Sequence, residues 1–427
     1  MLNTIKNLFL DKDELWANIV KVITSSLLGT IITFALSPII TRLYSPASFG
    51  IYAVIFSVAT ILSELASLKY ERAILLPAEN KDGISIFWIS NLFITTFSLV
   101  VLITIFVLNN KIFKFLGLQS PTLLYFIPLA CFALATNLTL VNLANRMKMY
   151  NEMNKNRIYV SLFTNVLLII LGYYKFDEVG LLVGYSIATI FGSILLFISL
   201  IKKIDGLFVF NKIDFVFLIK RYKIFPIYSL PTVGLQSLTS NIPNFFFSKA
   251  IGSVFLGNYN LSTRMVKAPL DIIGNSTRIV FDQTISHHYS KGLKHIDIFL
   301  NNFKRLILIG ITPILTILFF GPELFSIIFG KSWLEAGRIS QILCPVFYFQ
   351  FITSPISGVI TIYEKLRLIF IIQIIAFLLL ATTYSVLMKF NSGYVNYLIA
   401  YNLIYCSKYV FEFGYSYNLI KSNEENK

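Results

Sequence analysis

Apolar residues along this chain fall in long stretches separated by short polar segments. Twelve stretches can be read, at approximately 17–40, 47–68, 84–108, 122–144, 158–174, 178–201, 224–247, 254–276, 306–329, 337–361, 366–388 and 393–418. Each approaches or exceeds the ~20 mostly apolar residues that a helix needs to cross a hydrocarbon core. Asp11, Asp13 and Glu14 precede the first stretch and no small-residue cleavage site follows it, so it is expected to stay in the membrane. The longest polar segments, 202–223 and 277–305, do not reach thirty residues. A large extramembrane domain is therefore not expected.

Composition agrees with this pattern. Of 427 residues, 56% are hydrophobic and 13% charged, whereas soluble domains carry roughly 25% charged residues. A soluble enzyme or a disordered hub is excluded. The net charge of +15 suggests nucleic acid at first sight, but the positions of the charges speak against it. If the N-terminus is cytoplasmic, 24 of the 36 basic residues fall in inner segments and 8 in outer ones, the bias expected of cytoplasmic loops. Both termini are thus expected on the cytoplasmic side. Four cations remain inside spans: Lys21, Arg264, Lys267 and Lys408. Cys131, Cys344 and Cys406 lie in apolar stretches without ligand spacing, and the three histidines share one polar loop without a carboxylate cluster. No metal site and no catalytic constellation is expected, and the chain reads as a non-enzyme.

The two halves resemble each other. Shifted by 207 residues, Arg42 falls on Lys249, Gly50 on Gly257, Tyr52 on Tyr259 and Glu64 on Asp271. Phe115-Leu116-Gly117 echoes Ile328-Phe329-Gly330, and Arg146 with Lys148 echoes Lys365 with Arg367. The fold class expected is all-α and polytopic, with twelve transmembrane helices in two parallel six-helix lobes around a central cavity. The N-terminal lobe is 1–201, a basic cytoplasmic linker 202–223, the C-terminal lobe 224–418, and a cytoplasmic tail 419–427. The linker reads either as an amphipathic segment on the inner leaflet or as a solvated tether.

Charge inside a bilayer is costly and marks function or pairing. Lys408 has Glu412 one turn away, which gives it a structural role. Lys21 heads a polar stripe of Ser25, Gly29 and Thr33. Arg264, Lys267 and Asp271 follow one another at i, i+3 and i+7, on one helix face. Arg supplies a planar fork and Lys a point charge, so Lys21, Arg264 and Lys267 are the candidate binders of a pyrophosphate head group. The seventh span holds Gln236, Asn241 and Asn244, candidate sugar contacts, between Pro226, Pro231 and Pro243, which are expected to bend it. Packing between helices is the alternative role for these polar groups. The 23 tyrosines and 40 phenylalanines are read mostly as interfacial belts, with stacking on sugars as a second use.

Arg42-Leu43-Tyr44-Ser45-Pro46-Ala47-Ser48-Phe49-Gly50-Ile51-Tyr52 resembles the signature that leads into the second span of polysaccharide-export flippases, with Arg42, Pro46, Phe49, Gly50 and Tyr52 as its fixed points. Here Ser45 can cap the helix and Pro46 fits its first turn. Tyr70-Glu71-Arg72-Ala73-Ile74-Leu75-Leu76-Pro77 resembles the segment after that span in the O-antigen branch, and Leu324 to Trp333 the segment after the ninth. The resemblance is to the oligosaccharidyl-lipid flippases of the superfamily that also holds multidrug and toxin extrusion antiporters. It implies transport of undecaprenyl-pyrophosphate-linked oligosaccharide from the inner to the outer leaflet of the bacterial inner membrane, by alternating access. Membrane lipids, and a polymerase of the same pathway, are the further partners it implies.

No cofactor is expected beyond a coupling ion, H⁺ or Na⁺. An inside-negative potential favours outward movement of a pyrophosphate by roughly 2.3 kcal/mol per charge per 100 mV, but opposes return of an empty cationic cavity. Glu64 and Asp271, the repeat-related carboxylates, are the candidates to offset that. A drug or metabolite antiporter, a peptidoglycan-precursor flippase and a membrane sugar polymerase are the alternatives. The first favours an acidic cavity, the second has about fourteen spans, and the third needs a large external loop.

Overall fold

A computed structural model describes residues 28–118, 120–204, 206–208 and 212–425. Each of the twelve apolar stretches coincides with a helix: α1 (Leu28–Leu43 where described), α2 (Pro46–Ala66), α4 (Asn80–Leu116), α5 (Phe126–Arg146), α6 (Tyr150–Tyr173), α7 (Asp177–Lys203), α9 (Leu230–Ala250), α10 (Ser253–Ser290), α11 (Ile296–Phe329), α12 (Leu334–Thr353), α14 (Leu366–Lys389) and α15 (Tyr394–Glu425). Single turns α3 (Tyr70–Ala73) and α13 (Val359–Ile362) and the ten-residue α8 (Lys212–Arg221) lie between them. No strand occurs among the described residues. Eight segments, built on α2, α4, α5, α6, α7, α11, α12 and α14, are spans by length and apolarity alone. The remaining long helices α9, α10 and α15 are more polar, because they carry much of the intramembrane amide, charge and tyrosine.

Local chemistry sets the ends. Ser45 Oγ accepts the Ser48 N–H (3.1 Å) and Pro46 opens α2, as the capping residues predict. In the seventh span, where the prolines are expected to bend the helix, a π turn runs over Phe225–Ser229 at Pro226. Two polar segments differ from the expectation. The 277–305 segment is helix except near residues 291–295, because Phe281 and Ile285 recur at i and i+4 on a buried face and no glycine or proline falls between Gly274 and Gly292. The 419–427 tail is helix to Glu425, and Glu424 accepts the N–H groups of His295 (2.6 Å) and Ile296 (2.9 Å), capping α11.

The chain forms two compact units, one taking in the described residues to Tyr44 and Val54–Ser237, the other Ser45–Ala53 and Leu238–Lys427. The division near the middle falls inside α9, downstream of the 202–223 segment. That segment belongs to the first unit. Leu207, Leu218 and Tyr222 are buried in its core with Ile86, Phe87 and Leu143. Trp88 Nε1 donates to the Leu207 carbonyl (2.7 Å) and Tyr70 Oη to that of Ile219 (3.0 Å).

In the first unit Arg146, one of the charges counted as cytoplasmic, holds backbone. Its guanidinium donates to the carbonyls of Ile74, Pro77 and Glu79 at 2.7–2.8 Å. In the second unit the flippase-like motifs meet: the rings of Phe49 and fully buried Trp333 pack at right angles, with centroids 5.2 Å apart. There too a reciprocal contact links the repeat. A methyl group on Gly50 would collide with the Ser253 backbone, and one on Gly257 with the Pro46 backbone. These residues are the same pair at the 207-residue offset. Gly50→Val and Gly257→Val are each expected to destabilise the protein by at least ~1–3 kcal/mol, the usual cost of overpacking, and by similar amounts. Thermal unfolding in detergent measures this; wild-type melting for either variant would contradict the contact.

Candidate functional site

The stripe on α10 lies in the second unit. Leu261, Ser262, Met265, Val266 and Leu270 form the buried side of this helix. Arg264 and Lys267 are half-buried and Asp271 is exposed. The i, i+3, i+7 spacing therefore places these charges off the packed side, as a binding role requires. Below them, Asp271, Asn275 and Arg278 line a cleft with Gln350 of α12 and Ser354 of the turn that follows it. Arg278 Nε approaches Asp282 Oδ2 at 3.4 Å. Burial holds the Asp282 carboxyl above its usual range, against the pull of Arg278. Sequence reading missed Asn275, Arg278 and Gln350. The first two continue the Arg264 stripe by turns; ending the helix at 276 cut Arg278 from it.

Asn244 Oδ1 accepts from Asn260 Nδ2 of α10 (3.3 Å), and Asn241 lies one turn away at 3.5 Å. These amides thus join α9 to α10, the packing role foreseen as the alternative. Gln236 falls in the first unit and Asn241 and Asn244 in the second, all three on α9. Lys21 lies outside the described residues. Arg42 ends α1 and is exposed; Tyr52 is half-buried on α2. Lys408 Nζ is 3.7 Å from Glu412 and lies over the rings of Tyr405 and Tyr409, at 5.7 and 5.6 Å. This is the structural pairing its spacing predicts.

Glu64 is not a solitary carboxylate. In the first unit its Oε2 is bound by Lys69 Nζ, which also pairs with Glu71 Oε1 at 3.2 Å. Ser67 Oγ hydrogen-bonds the other Glu71 oxygen. Lys69, counted above among the cytoplasmic charges, is 1% exposed and enclosed by these groups. Its left-handed backbone (φ 65°), just before the single turn α3, accompanies this inward placement.

With this geometry, comparison with known proteins is informative. The profile of a family described as polysaccharide biosynthesis protein matches residues 39–338. The chain belongs to that family. No curated protein matches it closely. Among solved structures, this member of the polysaccharide biosynthesis family is similar to a multidrug-resistance transporter of the MATE family, of the MOP superfamily, in its inward-facing conformation (TM-score 0.70, 13% identity, 94% of this chain and 99% of that one). It is also similar to the lipid II flippase MurJ in an inward closed conformation (TM-score 0.69, 15% identity, 94% and 87%). A third likeness is to a MOP-superfamily transporter from Pyrococcus furiosus in which reversed polarity of the binding pocket suggests a different function (TM-score 0.56, 15% identity, 95% and 96%). At these identities the likeness establishes the fold. The family member described here is an all-α, multi-pass membrane protein with the MOP-transporter fold.

Proposed function

We propose that this protein moves undecaprenyl-pyrophosphate-linked oligosaccharide from the inner to the outer leaflet of the bacterial inner membrane by alternating access, with both termini cytoplasmic. The carrying observation is the placement of Arg264 and Lys267 off the packed side of α10, in a chain of the polysaccharide biosynthesis family. Cations there match a diphosphate, whereas a pocket for cationic drugs favours carboxylates. Lys21 is a third cation for the same head group. The resemblance of Arg42 to Tyr52 and the lipid II flippase among the similar folds support a lipid-linked substrate.

Return of the emptied protein is coupled to H⁺ or Na⁺ at Asp271, beside the Asn275–Arg278 cleft, with Glu64 as the repeat-related second carboxylate. The test is purified protein in liposomes, with a fluorescent undecaprenyl-pyrophosphate oligosaccharide and an impermeant reagent that modifies only outward-facing sugar. Protein-dependent exposure is expected to respond to an H⁺ or Na⁺ gradient, and Glu64→Gln with Asp271→Asn to remove that response. Exposure no faster than in protein-free liposomes would overturn the transport reading, and an unchanged ion response in the double variant the coupling reading.

A further inference from the structure

In the second unit Tyr259 of α10, Tyr384 of α14 and Tyr397 and Tyr409 of α15 are buried, with half-buried Tyr401 and Tyr405 of α15 between them along the helix. Tyr384 and Tyr397 pack ring to ring at 5.2 Å around Phe247 of α9. Tyr401 interacts through its hydroxyl with Tyr259 and Tyr405, and the rings of 401, 405 and 409 follow at 4.5 and 6.1 Å. At one end of α15, Tyr394 Oη donates to Glu335 Oε1 of α12 (2.7 Å), whose other oxygen meets Arg338 (3.3 Å). Toward the other end, Tyr409 lies one turn before Glu412 with Lys408 over its ring, and the charge of Asp271 on α10 acts on its hydroxyl. From Tyr394 to Glu412 a helix rises about 27 Å at ~1.5 Å per residue, close to the ~30 Å of a hydrocarbon core.

Tyr384 is 0% and Tyr397 1% exposed, and neither hydroxyl has a hydrogen-bond partner in the protein. Phenylalanine would fill both places without that cost, so packing does not account for the hydroxyls. Where there is room for it and further polar partners are at hand, an internal water satisfies a buried hydroxyl of this kind.

We propose that this seam of hydroxyls is a proton path through the second unit, from Glu335 to Glu412 and Asp271. Glu335 takes a proton from the medium and passes it to Tyr394. Along the seam each hydroxyl, or a water beside it, accepts a proton on oxygen and hands on its own, so every tyrosine is neutral before and after. The last proton rests on the carboxylate of Glu412 or Asp271. One proton moves and no redox partner is needed. The charged and titratable groups along the seam are Arg338 on α12, Asp271 on α10, and Cys406, Lys408 and Glu412 on α15; Phe246 and Phe247 are the α9 contacts. A proton on Glu412 cancels its pairing with Lys408, which transmits its arrival to the charge balance of the unit.

The path rests on the transport reading for its purpose, and its test is independent of the lipid substrate. Full-length protein in liposomes holding a pH-sensitive dye, under an imposed potential, is expected to carry protons. Tyr384→Phe and Tyr397→Phe are each expected to lose most of that uptake while melting at or above the wild-type temperature, since each removes an unpaired buried hydroxyl. Tyr228→Phe, at an exposed residue of the first unit, should change neither. Unaltered proton uptake in both seam variants would overturn the path, as would a wild-type protein without uptake. Oligosaccharide exposure in the same liposomes separates the two readings. Exposure without proton uptake removes the path alone, and proton uptake without exposure removes the proposed substrate alone.

Discussion

Arg264→Ala and Lys267→Ala are each expected to abolish surface polysaccharide in a host that depends on this protein, while its amount in the membrane stays at the wild-type level. The contrast follows from the two sides of α10. Leu261, Met265, Val266 and Leu270 hold the helix in the second unit, and neither substitution touches them. Across an effective dielectric near 20, a cation in contact with one phosphate charge is worth about 4 kcal/mol, which corresponds to roughly a thousandfold in affinity. Such a loss exceeds what a transport cycle can absorb by raising substrate concentration. Arg264→Lys keeps the charge but gives up the planar fork, so it should retain part of the activity. Normal polysaccharide in both alanine variants would end the head-group assignment.

Lys69→Met is expected to give the largest loss of stability of any single substitution discussed. Its ammonium group lies between Glu64 and Glu71, and Glu71 is itself buried. Removing it leaves two carboxylates facing each other with no counter-charge. Breaking a buried ion pair from one side costs ~3–5 kcal/mol, whereas replacing the whole set with neutral groups is often tolerated. Lys69→Met should therefore melt far below wild type in detergent and accumulate poorly. The triple variant with Glu64→Gln and Glu71→Gln should recover much of the loss. Equal melting of Lys69→Met and wild type would show that the triad carries no stability.

How far the sequence was legible depends on the kind of interaction. A bilayer demands apolar length, and where they are described the apolar runs lie mainly on helix for that reason. The Ser45-Pro46 cap is local chemistry and was also readable. Polar helix beyond the bilayer was not, because falling hydropathy looks the same at the end of a span and at the end of a helix; α10 continues to Ser290. Lys69 and Arg146 show a second limit. Both were counted as topological charges, yet Lys69 turns inward through a left-handed turn to partners five residues back and two ahead, and Arg146 reaches carbonyls about seventy residues away. Neither spacing is helical, so no periodic reading finds it. The tyrosines of α15 were periodic at i, i+4, but their packing against Tyr259 and Tyr384 depends on helices far apart in sequence.

The reciprocal contact of Pro46–Gly50 with Ser253–Gly257 has the form of a symmetric dimer interface, in which one patch meets its own copy. A half-length, six-span ancestor that paired with itself through this patch would have owned the complete contact before any duplication. Fusing two such genes preserves it without the invention of a second surface. Because each glycine faces backbone of the other segment, a larger residue at one cannot be relieved by shortening a side chain at the other, and the two helix starts must part for either to change.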